Sequence, residues 1–355
     1  MSTHEPASRD ADEPVALVDG QGRVTGTAAR SDVRRDNLRH AATAVLVRRP
    51  DGEILLHRRT ATKDWAPGLW DAAAGGVLRA GEEPDTSAAR ELAEELGITG
   101  VALRPLTTHL FEDTTTRCFE HAYEAVWDGP VTLQPEEVAE GRWASMTDLV
   151  ALLEDQPARF VPDTAQLLRR LAAAGIGDYG QLRAIAAARR AGLPFTVTRH
   201  GPVRSLEEAA AARGLAPQQV LKTLVVRLAE DDFRFVLVPG GREIAWPRLR
   251  ALLGVNRLSM PSAAVAREVT GYERGTITPL GADRAWPVVA DAAVARQVSI
   301  GGGAHGVALT VDAADLLAAL GAVSAEVTAE VEDVVDDGQA VTDADAGGAA
   351  TRRRR

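Results

Sequence analysis

Residues Gly76–Ile98 read GVLRAGEEPDTSAARELAEELGI. Gly75 and Gly76 mark a loop, Pro84 stands where a helix can begin, and Ala88 to Leu96 is rich in helix formers. Glu91, Glu94 and Glu95 are spaced i, i+3 and i+4, which predicts three carboxylates on one helix face. Leu92 and Leu96 point the opposite way, into a core. Three neighbouring carboxylates repel one another unless a cation lies among them. A hard divalent ion with a preference for oxygen, Mg2+ above all, suits carboxylates that also face phosphate. A solvated acidic helix accounts for the triplet alone. It does not account for the two glycines, Glu82 and Arg90 at their spacings.

The stretch resembles the Nudix box, G-x5-E-x7-R-E-U-x-E-E-x-G-U with U aliphatic, and meets every fixed position. The resemblance implies Mg2+- or Mn2+-dependent hydrolysis of a nucleoside diphosphate linked to another moiety. It implies Gly75, Glu91, Glu94 and Glu95 as metal ligands, the glutamates as catalytic groups, and Arg90 as the residue that orients them. The wider pattern is similar to the YfcD-like Nudix hydrolases, which are close to isopentenyl-diphosphate isomerase. It rests on VDGQGRVTGTAAR, NLRHAATAVLV, HRRTATKDWAPGLWDAAAGG and a late FVPD. The isomerase alternative needs a cysteine and a histidine where this chain has Gly75 and Val77, and a second histidine at Val33; His40 alone matches. Hydrolysis needs none of these.

Other residues of this half are candidates on charge alone. His57, Arg58, Arg59 and Lys63 crowd just before the box and are suited to a pyrophosphate, or form a solvated strand end. Glu120 and Glu124 share a strand face, so one is a candidate base or further metal ligand, against a reading as surface charge. Cys118 is the single cysteine of the chain, which excludes an intramolecular disulfide and fits a reducing, cytoplasmic setting. It reads as a small strand residue. Of 40 basic residues only two are lysines, Lys63 and Lys222, which singles out both as places that need a compact ammonium.

The net charge of −10 argues against a general nucleic-acid or DNA binder, although residues 178–321 are mildly basic. No apolar run is long enough to span a bilayer, and the N-terminus has no signal-peptide core.

In the second half, VLKTLVV is an apolar run interrupted by Lys222, and two glycine-punctuated loops follow, GYERGTITPLG and GGGAHG. Glycines let backbone N–H groups approach a ligand, so the loops are suited to line one pocket with Lys222. HGPVRSLEEAAAARGL, QQVLKTLVV, VTGYERGTITPLG and SIGGGAHGVALTVDAADLL occur in order and resemble the YbaK family, related to the editing insertion of bacterial prolyl-tRNA synthetases. This implies hydrolysis of a mischarged aminoacyl-tRNA at its acceptor end. Lys222 would position the terminal nucleotide. Gly275, Pro279 and Gly281 would shape the pocket, with Gly301 and His305 on the opposite lip. A domain that only binds tRNA or a synthetase is the alternative.

The expected fold is therefore a Nudix α/β/α sandwich over 14–174, then a YbaK-like mixed-sheet α+β domain over 178–325. Residues 1–13 and the acidic, arginine-ended 326–355 are expected to be disordered.

Overall fold

The computed structural model describes residues 12–331. The Asp19 carboxylate accepts the backbone N–H groups of Gln21 and Arg23 at 2.8 and 3.0 Å and closes the first turn. Pro14–Val18 (β1) and Val24–Ala29 (β2) consequently pair antiparallel. After a short helix, Arg30–Arg35 (α1), comes His40–Arg48 (β3), then Ile54–Arg59 (β4), Trp70–Asp71 (β5) and Ala73–Ala74 (β6). The box helix Pro84–Leu96 (α2) leads to Leu103–Glu112 (β7), Arg117–Val126 (β8) and Val138–Ala144 (β9), and Met146–Asp155 (α3) and Pro162–Ala173 (α4) close this half.

β3 is buried from His40 to Val47 because both faces of the sheet are covered. Val45, Val47 and Leu55 pack against Leu92 and Leu96 of α2. The alternate residues Ala44, Leu46, Ile54 and Leu56 pack against Leu149 of α3 and Leu167 and Leu171 of α4. The result is an α/β/α sandwich. β3 runs parallel to β8 and pairs with β1, β4 and β6; β7 extends the sheet beyond β8, and β9 pairs with β4.

Gly180–Arg190 (α5) links the two halves. The second half contains Phe195–Arg199 (β10), Leu206–Ala212 (α6), Leu221–Ala229 (β11), Asp232–Pro239 (β12), Arg242–Ile244 (β13), Trp246–Leu253 (α7) and Ala263–Thr270 (α8). Val288–Asp291 (β14), Gln297–Gly301 (β15), Val307–Asp312 (β16), Ala313–Ala319 (α9), Val323–Ala325 (β17) and Thr328–Glu330 (β18) complete it. One sheet has the order β10-β16-β15 and is antiparallel. The other, β11-β12-β14-β17, is mixed: β12 is antiparallel to β11, and β14 runs parallel to β12 and β17. This is the mixed-sheet α+β arrangement expected.

Residues 326–331, expected in the disordered tail, belong to the fold. β18 pairs with β13, and Val327 and Thr328 are buried. Asp291 fixes them: its Oδ2 accepts the N–H groups of Val327 and Thr328 at 3.0 and 2.8 Å. The expectations for residues 1–11 and 332–355 lie outside the described residues.

The two halves share one apolar cluster. Leu182, Ile185 and Ala188 of α5 belong to the same buried group as Leu153 and Leu171 on one side and Leu280 and Ile300 on the other. Arg183 ties the seam. Its guanidinium donates to the carbonyls of Ala173 and Gly281 at 2.9 Å each and pairs with Asp283 at 2.7 Å. Gly281, expected in the editing pocket, instead packs here: a Cβ on it would lie 2.5 Å from the Arg183 carbonyl oxygen. The shared core predicts a single urea transition for the whole chain, and two separate transitions would contradict it. Arg183→Ala removes the donor shared by several part-buried carbonyls and is expected to cost about 1–3 kcal/mol in the same measurement.

Candidate functional site

Helix α2 starts at Pro84 and ends at Gly97, which takes the left-handed conformation (φ 66°). Ala88, Leu92 and Leu96 anchor it to the sheet, and this fixes where its acids point. Glu95 is 4% exposed and Glu91 is largely buried, and both line a cavity of about 90 Å³ between α2, β3 and β8. Glu94 does not line it; its side chain is 50% exposed. The three acids do share one arc of the helix, since Arg90 Nη1 reaches both Glu91 and Glu94, but packing against the sheet takes only Glu91 and Glu95 into the cavity. Glu94, about 100° round from Glu95, falls at the solvent edge of that arc.

The two glycines exist for close approach. A Cβ on Gly76 would lie 2.6 Å from Glu91 Oε1, and one on Gly75 would collide with the Thr43 carbonyl oxygen. Gly75 therefore has no room for the cysteine that isomerisation requires. Its N–H donates to Glu95 Oε2 at 3.4 Å. Arg90 grips Glu82 through two bonds of 2.9 and 3.0 Å, and also donates to Glu91 at 2.7 Å and Glu94 at 3.1 Å. It thereby fixes one cavity carboxylate from outside the cavity.

Of the basic residues before the box, Arg59 and Lys63 line the cavity. Arg59 donates to the Trp65 carbonyl at 3.1 and 3.2 Å, and the Lys63 ammonium pairs with Glu137. Arg58 lies on the other face of the strand, pairs with Glu140 at 2.6 Å and stays outside the cavity. His57 is buried, burial lowers its affinity for a proton, and it does not line the cavity. Glu137, Arg30, Arg34, Asp71 and Asp163 also line the cavity and were not singled out from the sequence. They come from four separate places in the chain, with Arg30 and Arg34 both on α1; Arg30, Asp71 and Asp163 fall within the motifs VDGQGRVTGTAAR, HRRTATKDWAPGLWDAAAGG and FVPD, but none of them carried a role there.

Glu120 and Glu124 part company. Both are buried, not surface charges. Glu120 lines the cavity, while Glu124 pairs with Arg48 at 3.2 Å and Arg104 at 2.8 Å near the domain seam, where Arg48 also meets Asp178 at 3.0 Å. Cys118 is buried on the same cavity.

In the second half, Lys222 on β11 donates to the Arg242 carbonyl at 2.6 Å and lines a cavity of about 580 Å³ with Gly275, Gly301 and Arg213. His305, Pro279 and Gly281 do not line it. His305 is 70% exposed, with Nε2 3.8 Å from Glu273. It stands at the rim, 3.4 Å from where a Cβ on Gly275 would be. Arg213, which the sequence did not flag, approaches Ser299 Oγ at 3.3 Å and His200 Nε2 at 3.3 Å.

Burial raises the carboxyl affinity of Glu91 for its proton, and that of Glu95 further, with the charge of Glu91 adding to the shift of Glu95. An acid whose folded pKa lies above its unfolded value is unpenalised at low pH. Its penalty grows as pH rises from the unfolded value, about 4.5, to the folded one. Without divalent ions, the protein is therefore expected to lose stability relative to Glu95→Gln as pH rises above about 4.5, by at most about 1.4 kcal/mol per pH unit. Urea unfolding at a series of pH values in chelator reads this. Added Mg2+ should flatten the difference, and parallel pH profiles would refute the cause.

Comparison with known proteins agrees with both halves. The family model for the NUDIX domain matches residues 38–171, and that for the aminoacyl-tRNA editing domain matches residues 200–319. An uncharacterised Nudix hydrolase of Rhodococcus erythropolis is 43% identical over 46% of this chain and 96% of its own. The uncharacterised Nudix hydrolase YfcD of Escherichia coli K12 is 39% identical over 44% of this chain and 84% of its own. The solved structure of a candidate trans-editing enzyme for prolyl tRNA synthetase is 25% identical, with a TM-score of 0.39, over 42% of this chain and 96% of that one. No helix among the described residues is long and apolar enough to cross a membrane. The chain belongs to the Nudix hydrolase family and carries an aminoacyl-tRNA editing domain behind its Nudix domain.

Proposed function

We propose that the protein is a cytoplasmic, bifunctional hydrolase. Its first half cleaves the pyrophosphate of a nucleoside-diphosphate-type small molecule with Mg2+ or Mn2+. Its second half removes the amino acid from mischarged tRNA in trans. The observation that carries the first reading is the pair Glu91 and Glu95, buried on one cavity opposite Arg59 and Lys63.

The donor set fits a hard divalent cation. The two box carboxylates Glu91 and Glu95 face the cavity, Gly75 lines it beside them, and Glu95 receives one long hydrogen bond from that glycine. Glu91 and Glu95 would hold the ion with the Gly75 backbone, and Glu94, which pairs with Arg90 outside the cavity, would join them on leaving that pair. When bound, the ion would polarise the pyrophosphate and lower the pKa of a water. Arg90 keeps Glu91 in place. Arg59 and the Lys63 ammonium would neutralise the phosphate oxygens, with Lys63 exchanging Glu137 for substrate. A cavity of about 90 Å³ suits the diphosphate and not a whole nucleotide, whose base would rest outside.

In the second half the 580 Å³ cavity suits a terminal nucleoside with its amino acid. Lys222 would hold the nucleotide. The backbones at Gly275 and Gly301 would approach the ester, and their N–H groups would stabilise the developing oxyanion. His305 would act at the rim, while Pro279 would stiffen the loop from behind.

The two activities should separate by mutation. Glu95→Gln is expected to slow phosphate release from a panel of nucleoside diphosphate derivatives by roughly 10²-fold or more, with deacylation unchanged. Lys222→Ala should do the reverse with mischarged tRNAs. Full turnover in both variants would refute the site assignments. Binding of tRNA without deacylation by the wild type would make the second domain a recruiting module.

A further inference from the structure

The box carboxylates are not the whole of the first cavity. Cys118 and Glu120 stand two residues apart on β8, and Asp163 opens α4; all three are buried and line the same space. The thiol sulfur and one carboxylate oxygen from each acid lie within 4.8 Å of one another. Glu120 is 5% exposed, and its Oε2 has no hydrogen-bond partner among the described residues. Its cross-strand partner His109 is 1% exposed, and neither ring nitrogen has a hydrogen-bond partner; Nε2 sits 3.8 Å from that same Oε2. Unpaired buried polar atoms of this kind cost stability unless something satisfies them. Nearby cations are engaged: Arg34 with Asp64 and Thr116, and Arg59 with the Trp65 carbonyl.

We propose that Cys118, Glu120 and Asp163 form a second metal site, selective for a thiophilic divalent transition metal of the zinc class. The donor chemistry decides the class. Mg2+ takes oxygen ligands and has no use for a thiolate, whereas one sulfur with two carboxylates suits Zn2+ or Co2+. Three protein donors leave a fourth position open to the cavity, as in zinc sites that keep a water. His109 is a positioning residue that orients the Glu120 carboxylate from behind. Binding releases the thiol proton, and any proton shared by the two acids, to solvent. The site shares that cavity but uses none of the ligands of the oxygen-only one proposed on α2, and does not rest on it.

The test uses the untagged full-length protein, stripped with a chelator and titrated with Co2+. Because Cys118 is the only cysteine in the chain, any thiolate-to-cobalt charge-transfer absorption of the wild type belongs to it. We expect that band to saturate at one equivalent, to be displaced by Zn2+, and to survive excess Mg2+. Cys118→Ser should abolish it, and Asp163→Asn should weaken cobalt affinity by roughly 10-fold or more. Glu94→Gln should leave the band in place. Cobalt binding without the band would mean that α2 alone takes metal and would overturn the proposal, as would no binding. If Cys118→Ser does not fold, the wild-type spectrum decides alone.

Discussion

Burying Glu91 and Glu95 together is the constraint on which the first half depends. Two carboxylates on one small cavity are costly in low dielectric, and the surrounding structure is arranged to tolerate them. Arg90 supplies a counter-charge to Glu91 from outside, and is itself held by Glu82. The Gly75-Gly76 backbone closes on β3 and Glu91 because neither residue has a side chain to keep it away. The apolar face of α2, locked by Leu92 and Leu96 against Val45 and Val47, sets the direction of the acids. Each of these parts makes sense only if the pair is to be kept, and a pair kept at such cost points to cation chemistry.

A second constraint is the seam. Helix α5 is buried against α3 and α4 on one side and against the editing sheets on the other, so it is a core element and not a tether. Arg183 satisfies carbonyls from both flanks. The buried Glu124 carboxylate, with Arg48 and the half-exposed Arg104, adds an ion-pair cluster that reaches Asp178 just ahead of α5. The two cavities are therefore held in one frame, unlike sites on domains joined by a free linker.

Strand β8 shows how one element serves several ends. Its alternate residues Cys118 and Glu120 face the cavity, while Glu124, further along the same face, has passed beyond the cavity to the seam. Equal spacing along a strand places residues on one side of a sheet, but what lies over that side changes every few residues. The same reasoning separates Arg58 from Arg59 on β4, where a one-residue step crosses the sheet.

What the chain's order of residues determined by itself was local. The box spacing, the start of α2 at Pro84, its stop at Gly97 and the inward turn of Leu92 and Leu96 all follow from the repeat of one helix. The two domain types and their sequence of motifs were legible for the same reason, since each motif is a short segment with its own geometry. Packing alone decided that Glu95 and Glu91 enter the cavity while Glu94 does not, that Asp163 and Glu137 join them, and that Gly281 serves the seam. It also decided that β18 belongs to the fold, through its bonds to Asp291. Positions within one element are tied by covalent geometry and can be read along the chain. Proximity between residues far apart in the chain exists only once the apolar faces have found each other and expelled water.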